Sequence, residues 1–294
     1  TAIDKYVYVT VNRKFDQQIR LSYSKTEEVP TVARVRHPLV REALVKLGIS
    51  GGIEITSIAD IPSRGTGLGS SSSFTVGLLH ALHAFQGQYR SAEQLARESC
   101  QIEIERCGEP IGKQDQYAAA FGGFNFIQFF PDESVSVEPI LCRRETLQQL
   151  QDNILVFYTG ITRRASSILQ EKQRAIAAEK AKQAMLLRMV ALARQLRVEI
   201  QNNNLDAFGE IIHENWVLKK SLSHQVSTSR IDAWYETARK LGALGGKLLG
   251  AGSGGFLMFY APRDRHEAIS RALGKLRIVT LRFESQGSRI IFIH

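Results

Sequence analysis

Pro62-Ser-Arg-Gly-Thr-Gly-Leu-Gly-Ser-Ser-Ser-Ser73 stands between a strand-like run and an apolar helix. Gly65, Gly67 and Gly69 alternate, and serines fill 70–73. Ahead of the tract, Ile53-Glu-Ile-Thr-Ser-Ile-Ala59 alternates in part, as a strand does. Behind it, Phe74, Leu78, Leu82 and Phe85 recur at the spacing of one helix face. The tract therefore leads from a strand into a helix N-terminus. Glycines let a backbone come close to a ligand, and the free N–H groups and dipole of a helix start favour an anion. The reading is a phosphate site. The competing one is a flexible Gly/Ser connector, which the ordered elements on either side disfavour.

The chain has 294 residues, long enough that two domains are expected, with a boundary near residue 150: 1–150 and 151–294. Composition is that of a soluble globular protein with a sizeable core. The net charge of +9 is compatible with nucleic acid, anionic membranes or phosphorylated metabolites and selects none of them. Basic residues are densest between Arg163 and Arg197, without aromatic interleaving or a zinc-finger or RNP pattern, so a nucleic-acid role carries little weight. Cys100, Cys107 and Cys142 form no C-x-x-C pair, which argues against a disulfide scaffold or structural zinc and fits a reducing cytoplasm. No signal peptide or long apolar span is visible. The chain opens at Thr1, without methionine, directly in the strand-like Tyr6-Val-Tyr-Val-Thr-Val11, and the expectation is that further residues precede it.

Ala2 to Val11 and Ile19 to Tyr23 read as two strands forming an antiparallel pair. His37 to Gly48 reads as a short helix with Pro38 in its first turn and Gly48 as its C-cap. Ser91 and Gln94 form a capping box that opens a helix running to about Arg106. A small-residue helix precedes Gly122, and strands follow over Phe124–Phe130 and on to about Leu141. The second half opens with the strand Ile154–Tyr158, then a long charged helical region from Arg163 to Ile200 and helices over Leu205–Ser223 and Ile231–Leu241. A second glycine tract, Gly245-Gly-Lys-Leu-Leu-Gly-Ala-Gly-Ser-Gly-Gly255, leads into the strand Phe256–Tyr260. A helix from about Arg265 to Leu276 and closing strands over Ile278–Phe283 and Arg289–Ile293 finish the chain. Such a mixture is an α+β fold in both halves.

Neither G-x-x-x-x-G-K-[ST] nor an intact G-x-G-x-x-G after a strand is present, so ordinary P-loop ATPases and dinucleotide enzymes are not supported. A glycine–serine loop can still wrap phosphate oxygens with backbone N–H groups, while its hydroxyls add hydrogen bonds or touch Mg2+. Phosphoryl transfer also needs a carboxylate for the metal and one near the accepting hydroxyl. Glu103 and Asp115 are the candidates. Asp115 could instead cap a helix beginning about Gln116, and Glu103 could be a surface acid. Lys113 is either a substrate contact or a solvated lysine.

Pro62-x-x-Gly-x-Gly-Leu-Gly-Ser-Ser-Ser resembles the second signature motif of the GHMP kinases, the superfamily of galactokinase, homoserine kinase, mevalonate kinase and phosphomevalonate kinase. Gly246-Lys-Leu-Leu-Gly-Ala-Gly-Ser-Gly-Gly255 resembles the third, and the two occur in the expected order. No counterpart of the first motif, a Pro- and Gly-rich N-terminal segment, is present. The resemblance implies a two-domain fold, with an N-terminal domain like domain 2 of ribosomal protein S5 and a ferredoxin-like C-terminal domain. It also implies ATP and Mg2+ as cofactors. Glu103, Gly108, Pro110, Gly112 and Asp115 fall on the family's sugar-kinase pattern. By that likeness Asp115 would orient or deprotonate the attacking hydroxyl, and Ser71 and Glu103 would hold Mg2+. Arg64, Gly65, Thr66, Gly67, Leu68, Gly69, Ser70, Ser71 and Ser72 would bind the ATP phosphates. Gly250, Ala251, Gly252, Ser253 and Gly254 would close the site from the second domain.

More narrowly, Ile102-Glu-Ile, Gly108-Glu-Pro-Ile-Gly-Lys-Gln-Asp-Gln-Tyr117 and Phe157-Tyr-Thr-Gly-Ile-Thr-Arg163 resemble the bacterial D-glycero-D-manno-heptose 7-phosphate 1-kinases. These serve the synthesis of nucleotide-activated heptose for capsule, surface-layer or lipopolysaccharide sugars. The implied substrate is a small anionic sugar phosphate, in keeping with the basic balance. The implied protein is a cytoplasmic monomer or homodimer with no nucleic-acid or membrane partner. Lys113, Gln114, Arg163 and Arg164 are candidates for gripping the substrate and its 7-phosphate. The alternatives are a galactose or fucose kinase and a non-catalytic regulator that binds sugar and ATP.

Overall fold

A computed structural model describes residues 1–61, 67–161, 179–250 and 252–293. The chain divides into two compact units. The first comprises Thr1–Ser63, Gly69–Val137 and Phe283–His294; the second comprises Arg64–Leu68 and Glu138–Arg282.

In the first unit, β1 (Ala2–Ile3), β2 (Val7–Arg13), β3 (Ile19–Ser22) and β4 (Thr26–Val29) precede helix α1 (Pro38–Lys46). The chain continues through β5 (Ile53–Ala59), α2 (Ser70–Phe85), α3 (Ala92–Cys100), α4 (Gln114–Phe121), β6 (Asn125–Phe129) and β7 (Val135–Pro139). The main sheet runs β2-β5-β3-β4. The antiparallel β2–β3 pair expected from sequence does not form. β5 lies between them, antiparallel to β2 with Val7 opposite Ala59 and parallel to β3 with Ile19 opposite Ile53. The reason is burial. Ile53 and Ile55 on β5 are almost wholly enclosed, as are Ile19 and Leu21 on β3, so the most apolar strand takes the centre.

Helix α2 lies on this core with Val76, Leu78, Leu79 and Leu82 fully buried. Each buried leucine contributes roughly 1.5–3 kcal/mol of transfer free energy. Helix α3 opens with the expected capping box: Ser91 Oγ accepts from Gln94 N, and Gln94 Oε1 accepts from Ser91 N. Its α-helical turns end at Cys100, and Gln101–Arg106 winds on as a π-helical turn. At the far end of the chain, β12 (Phe283–Glu284) pairs antiparallel with β1, so this segment packs with the first unit.

The second unit contains α5 (Arg144–Asp152), β8 (Ile154–Tyr158), α6 (Lys180–Gln201), α7 (Phe208–Leu222), α8 (Ser229–Lys240), β9 (Gly245–Leu248), β10 (Phe256–Tyr260), α9 (His266–Ala272) and β11 (Arg277–Ile278). Its sheet runs β11-β8-β10-β9, with every pairing antiparallel. Numbered by their order in the chain, these strands lie 4-1-3-2, the split β-α-β arrangement of ferredoxin-like folds. Trp216, Tyr235, Phe157 and Phe259 fill the core between sheet and helices. The first four residues of the second glycine tract are strand β9 rather than loop, because they complete a ladder with β10 in which Leu248 faces Leu257. The closing strand expected over Arg289–Ile293 is absent; this stretch has no regular structure.

Candidate active site

Helix α2 begins at Ser70, and Gly69 caps it in the left-handed region at φ 69°. Two features favour glycine there. One is the backbone angle, and the other is space, since a β-carbon at this position would lie 3.3 Å from both Cβ and Cγ of Asp115. The Asp115 carboxyl is thus seated against the residue that caps the N-terminus of α2. Asp115 itself lies in the first turn of α4, one residue inside a helix that starts at Gln114. It is not the cap: Lys113 holds that position and makes no side-chain capping bond. A carboxylate so close to a helix start is favoured by that helix's dipole. Its surface is open to solvent on one side, but the protein atoms crowding the other raise its pKa. A hydrogen bond with Gln114 opposes this burial effect in part.

Glu103 comes from the π-helical turn and is fully buried, so it is not a surface acid. Ser71 Oγ donates to its Oε1 at 2.6 Å, and Gln116 Nε2 donates to its Oε2 at 2.5 Å. Burial raises the Glu103 pKa, while bonds from Ser71, Ser72 and Gln116 favour the charged form and the Asp115 charge disfavours it. Ser71 is itself an exposed residue, and its hydroxyl turns back onto the enclosed carboxylate. Glu103 thus projects from a π-helical turn, and such turns concentrate at functional sites.

The structure therefore brings Ser71, Glu103 and Asp115 together around the start of α2, with Gly69 and Ser72 beside them. Gln116 is the residue that sequence reading missed. It is fully buried, and its amide oxygen has no hydrogen-bond partner among the described residues. Its only signal was the Asp115-Gln116 dipeptide in the first turn of α4. Lys113 pairs with Glu133, which sits in the turn between β6 and β7, and Gln114 bonds the Asp115 carboxyl. Gly67 and Leu68 are grouped with the second unit. Arg64, Gly65, Thr66, Arg163, Arg164 and Ala251 lie outside the described residues.

In the second unit, the loop after β9 is held by its own backbone. Leu249 N donates to Phe256 O at 2.8 Å, Ser253 N to Val226 O at 2.9 Å and Gly255 N to Ile161 O at 2.8 Å. Ser253 is nearly fully buried at φ 60°, and its hydroxyl donates to Gln225 O, so it braces the loop internally. Gly250, Gly252 and Gly255 also have positive φ.

Among the described residues no group of three or more His, Cys, Asp or Glu could hold a metal ion. Mg2+ does not need one. It is usually held by one or two carboxylates, with substrate phosphates and waters completing an octahedron. The Ser71–Glu103 pair is a donor set of that kind.

Two family models match the sequence: the GHMP kinases N-terminal domain over residues 32–123 and the GHMP kinases C-terminal domain over 196–277. The chain belongs to the GHMP kinase family. It is 32% identical over 218 residues to the D-glycero-alpha-D-manno-heptose 7-phosphate kinase of Campylobacter jejuni, an alignment covering 74% of this chain and 63% of that protein, less than two thirds of its length. A crystal structure of a D-glycero-D-manno-heptose 1-phosphate kinase from Bacteroides thetaiotaomicron superposes with a TM-score of 0.74 at 23% identity, covering 97% of this chain and 86% of that one. The galactokinase of Lactococcus lactis, solved with galactose, superposes at 0.78 with 19% identity, covering 98% and 87%. The last two likenesses concern the fold.

Proposed function

We propose that this protein is an ATP-dependent sugar kinase that phosphorylates the anomeric hydroxyl of D-glycero-D-manno-heptose 7-phosphate. The observation that carries the reading is the Asp115 carboxyl seated at Gly69, beside the Ser71 hydroxyl and the buried Glu103 behind it. This is the arrangement an alcohol phosphotransferase needs: an anion-binding helix start, a metal-holding pair and a carboxylate for the nucleophile.

In the transfer, Asp115 accepts the proton of the sugar hydroxyl. The freed oxygen bonds the γ-phosphorus of ATP as the bond from that phosphorus to the ADP oxygen breaks. A partly desolvated carboxylate with a raised pKa is a stronger base than a solvated one. Backbone N–H groups at the start of α2 bind phosphate oxygens and stabilise the developing charge, while the Ser71 and Ser72 hydroxyls turn to Glu103. Ser71 and Glu103 would hold Mg2+, which when bound neutralises charge on the β- and γ-phosphates. Gln116 fixes the Glu103 carboxylate from behind. Lys113 and Gln114, next to Asp115, are proposed substrate contacts, with Lys113 exchanging its Glu133 partner for the sugar phosphate.

The heptose assignment is supported by the 32% identity to the Campylobacter enzyme and by the basic balance, which suits an anionic substrate. Three free cysteines suit a reducing cytoplasm, and among the described residues no helix is long and apolar enough to cross a membrane. The test is ADP release across a sugar panel. Turnover with heptose 7-phosphate and little with galactose or fucose is the expected result. Turnover with galactose or fucose alone would reassign the substrate, and ATP binding without turnover on any sugar would make the protein a regulator.

A further inference from the structure

Lys219 lies in the last turn of α7, inside the second unit, and is about nine-tenths buried. An ammonium is a costly group to enclose unless its donors are satisfied. Here its Nζ donates to Gly250 O at 2.6 Å and contacts Leu248 O at 3.4 Å. Both carbonyls stand where β9 gives way to the glycine loop. A charged donor on a carbonyl is roughly twice as strong as a neutral one.

The anchored backbone is in a crowded contact of its own. Gly250, at φ 74°, meets Gly67 so closely that a β-carbon on either would strike the other's backbone or its neighbour's; one added to Gly67 would lie 2.6 Å from Leu249 O. Gly67 belongs to the tract proposed above to bind ATP phosphates, and it is grouped with this same unit. Of the loop's other braces, the backbone bond from Leu249 N to Phe256 O precedes Gly250, while Ser253 on Gln225 and Val226 and Gly255 on Ile161 lie beyond it. Among the described residues, Lys219 is the side chain that fixes its near end.

We propose that Lys219 is a positioning residue for nucleotide binding: its ammonium locks the Leu248–Gly250 backbone, and that backbone sets the position of Gly67 in the phosphate-binding tract. The nucleotide role rests on the proposed kinase function; the anchoring of the loop does not.

The experiment uses the full chain with Lys219→Met, which keeps the apolar stem and removes the charged donors, and Lys219→Arg, which keeps charge and donors. Amide hydrogen exchange, measured without nucleotide, reads the loop directly. The expected result is about tenfold faster exchange over residues 249–255 in Lys219→Met, with β8 and β10 unchanged and substantial recovery in Lys219→Arg. With kinase turnover, KM for ATP should rise about tenfold while KM for the sugar stays near wild type. Unchanged loop exchange, or exchange raised evenly across the whole second unit, would overturn the anchor and leave Lys219 as a packing residue. If Lys219→Met does not fold, Lys219→Gln, which retains a neutral donor, is measured in the same way: faster exchange confined to the loop supports the anchor, and unchanged or evenly raised exchange overturns it. If wild type has no turnover on any sugar, the kinase reading falls, and the exchange data still decide the anchor.

Discussion

Asp115 combines two features that usually exclude each other: it reaches solvent, and its carboxyl is crowded enough to raise its pKa. Replacing it by Asn keeps the shape against Gly69 and removes the base. kcat should fall by about 10²–10⁴-fold while the melting temperature stays within a degree or two of wild type. Near wild-type turnover in that variant would exclude the base role. The sign of the pH effect follows from the direction of the shift. Asp115 must be ionised to take a proton, and burial favours its neutral form, so kcat/KM should drop as pH falls through a value above the usual aspartate range. A pH–rate profile flat through the acid range would contradict this. Asp115 was legible as a candidate because it stands between amides ahead of a small-residue run, and Glu103 because it falls on the family's sugar-kinase pattern. Their distinct environments were not, since one is enclosed and the other open, and burial belongs to the packed chain.

The first turn of α3 and the turn after α3 separate local from tertiary information. The Ser91–Gln94 capping box was readable because both bonds are made within four residues. Ser91→Ala should cost about 1 kcal/mol in a urea melt and leave turnover unaltered, because the cap touches no site residue. The π-helical turn at Gln101–Arg106 was not readable; sequence periodicity continues the α-helix to Arg106, whereas in the structure the turn widens where Glu103 meets Ser71. Deleting the exposed Glu105 should restore α-helical register, rotate Glu103 away from Ser71 and abolish turnover, with far-UV circular dichroism near wild type. Retained activity in the deletion would show that the π-turn does not set the site.

At the scale of the molecule, the end of the chain supports the helix that carries Asp115. Ser288 N donates to Ala119 O at 3.0 Å on α4, Tyr6 Oη donates to Glu284 at 2.5 Å, and Phe283 stacks on Phe124. His80 on α2 reaches Ser288 Oγ at 3.0 Å. Removing Phe283–His294 should therefore destabilise the first unit by at least about 2 kcal/mol and depress turnover through α4. A truncated protein with wild-type melting and activity would refute that support. The sequence by itself determined the α+β class, the glycine tracts and the family, because each is carried by residue types at short range: alternation, helical spacing, caps and glycines at turns. The tertiary structure alone decided that β5 enters between β2 and β3, that Gln116 stands behind Glu103, that Lys219 grips Gly250, and that the last residues return to the first unit. Those choices depend on which apolar surfaces and polar groups from distant parts of the chain satisfy one another on burial. The tract at 62–73 shows both sides of this. Its glycines announce a close approach, and only the fold reveals that Asp115 is what approaches Gly69.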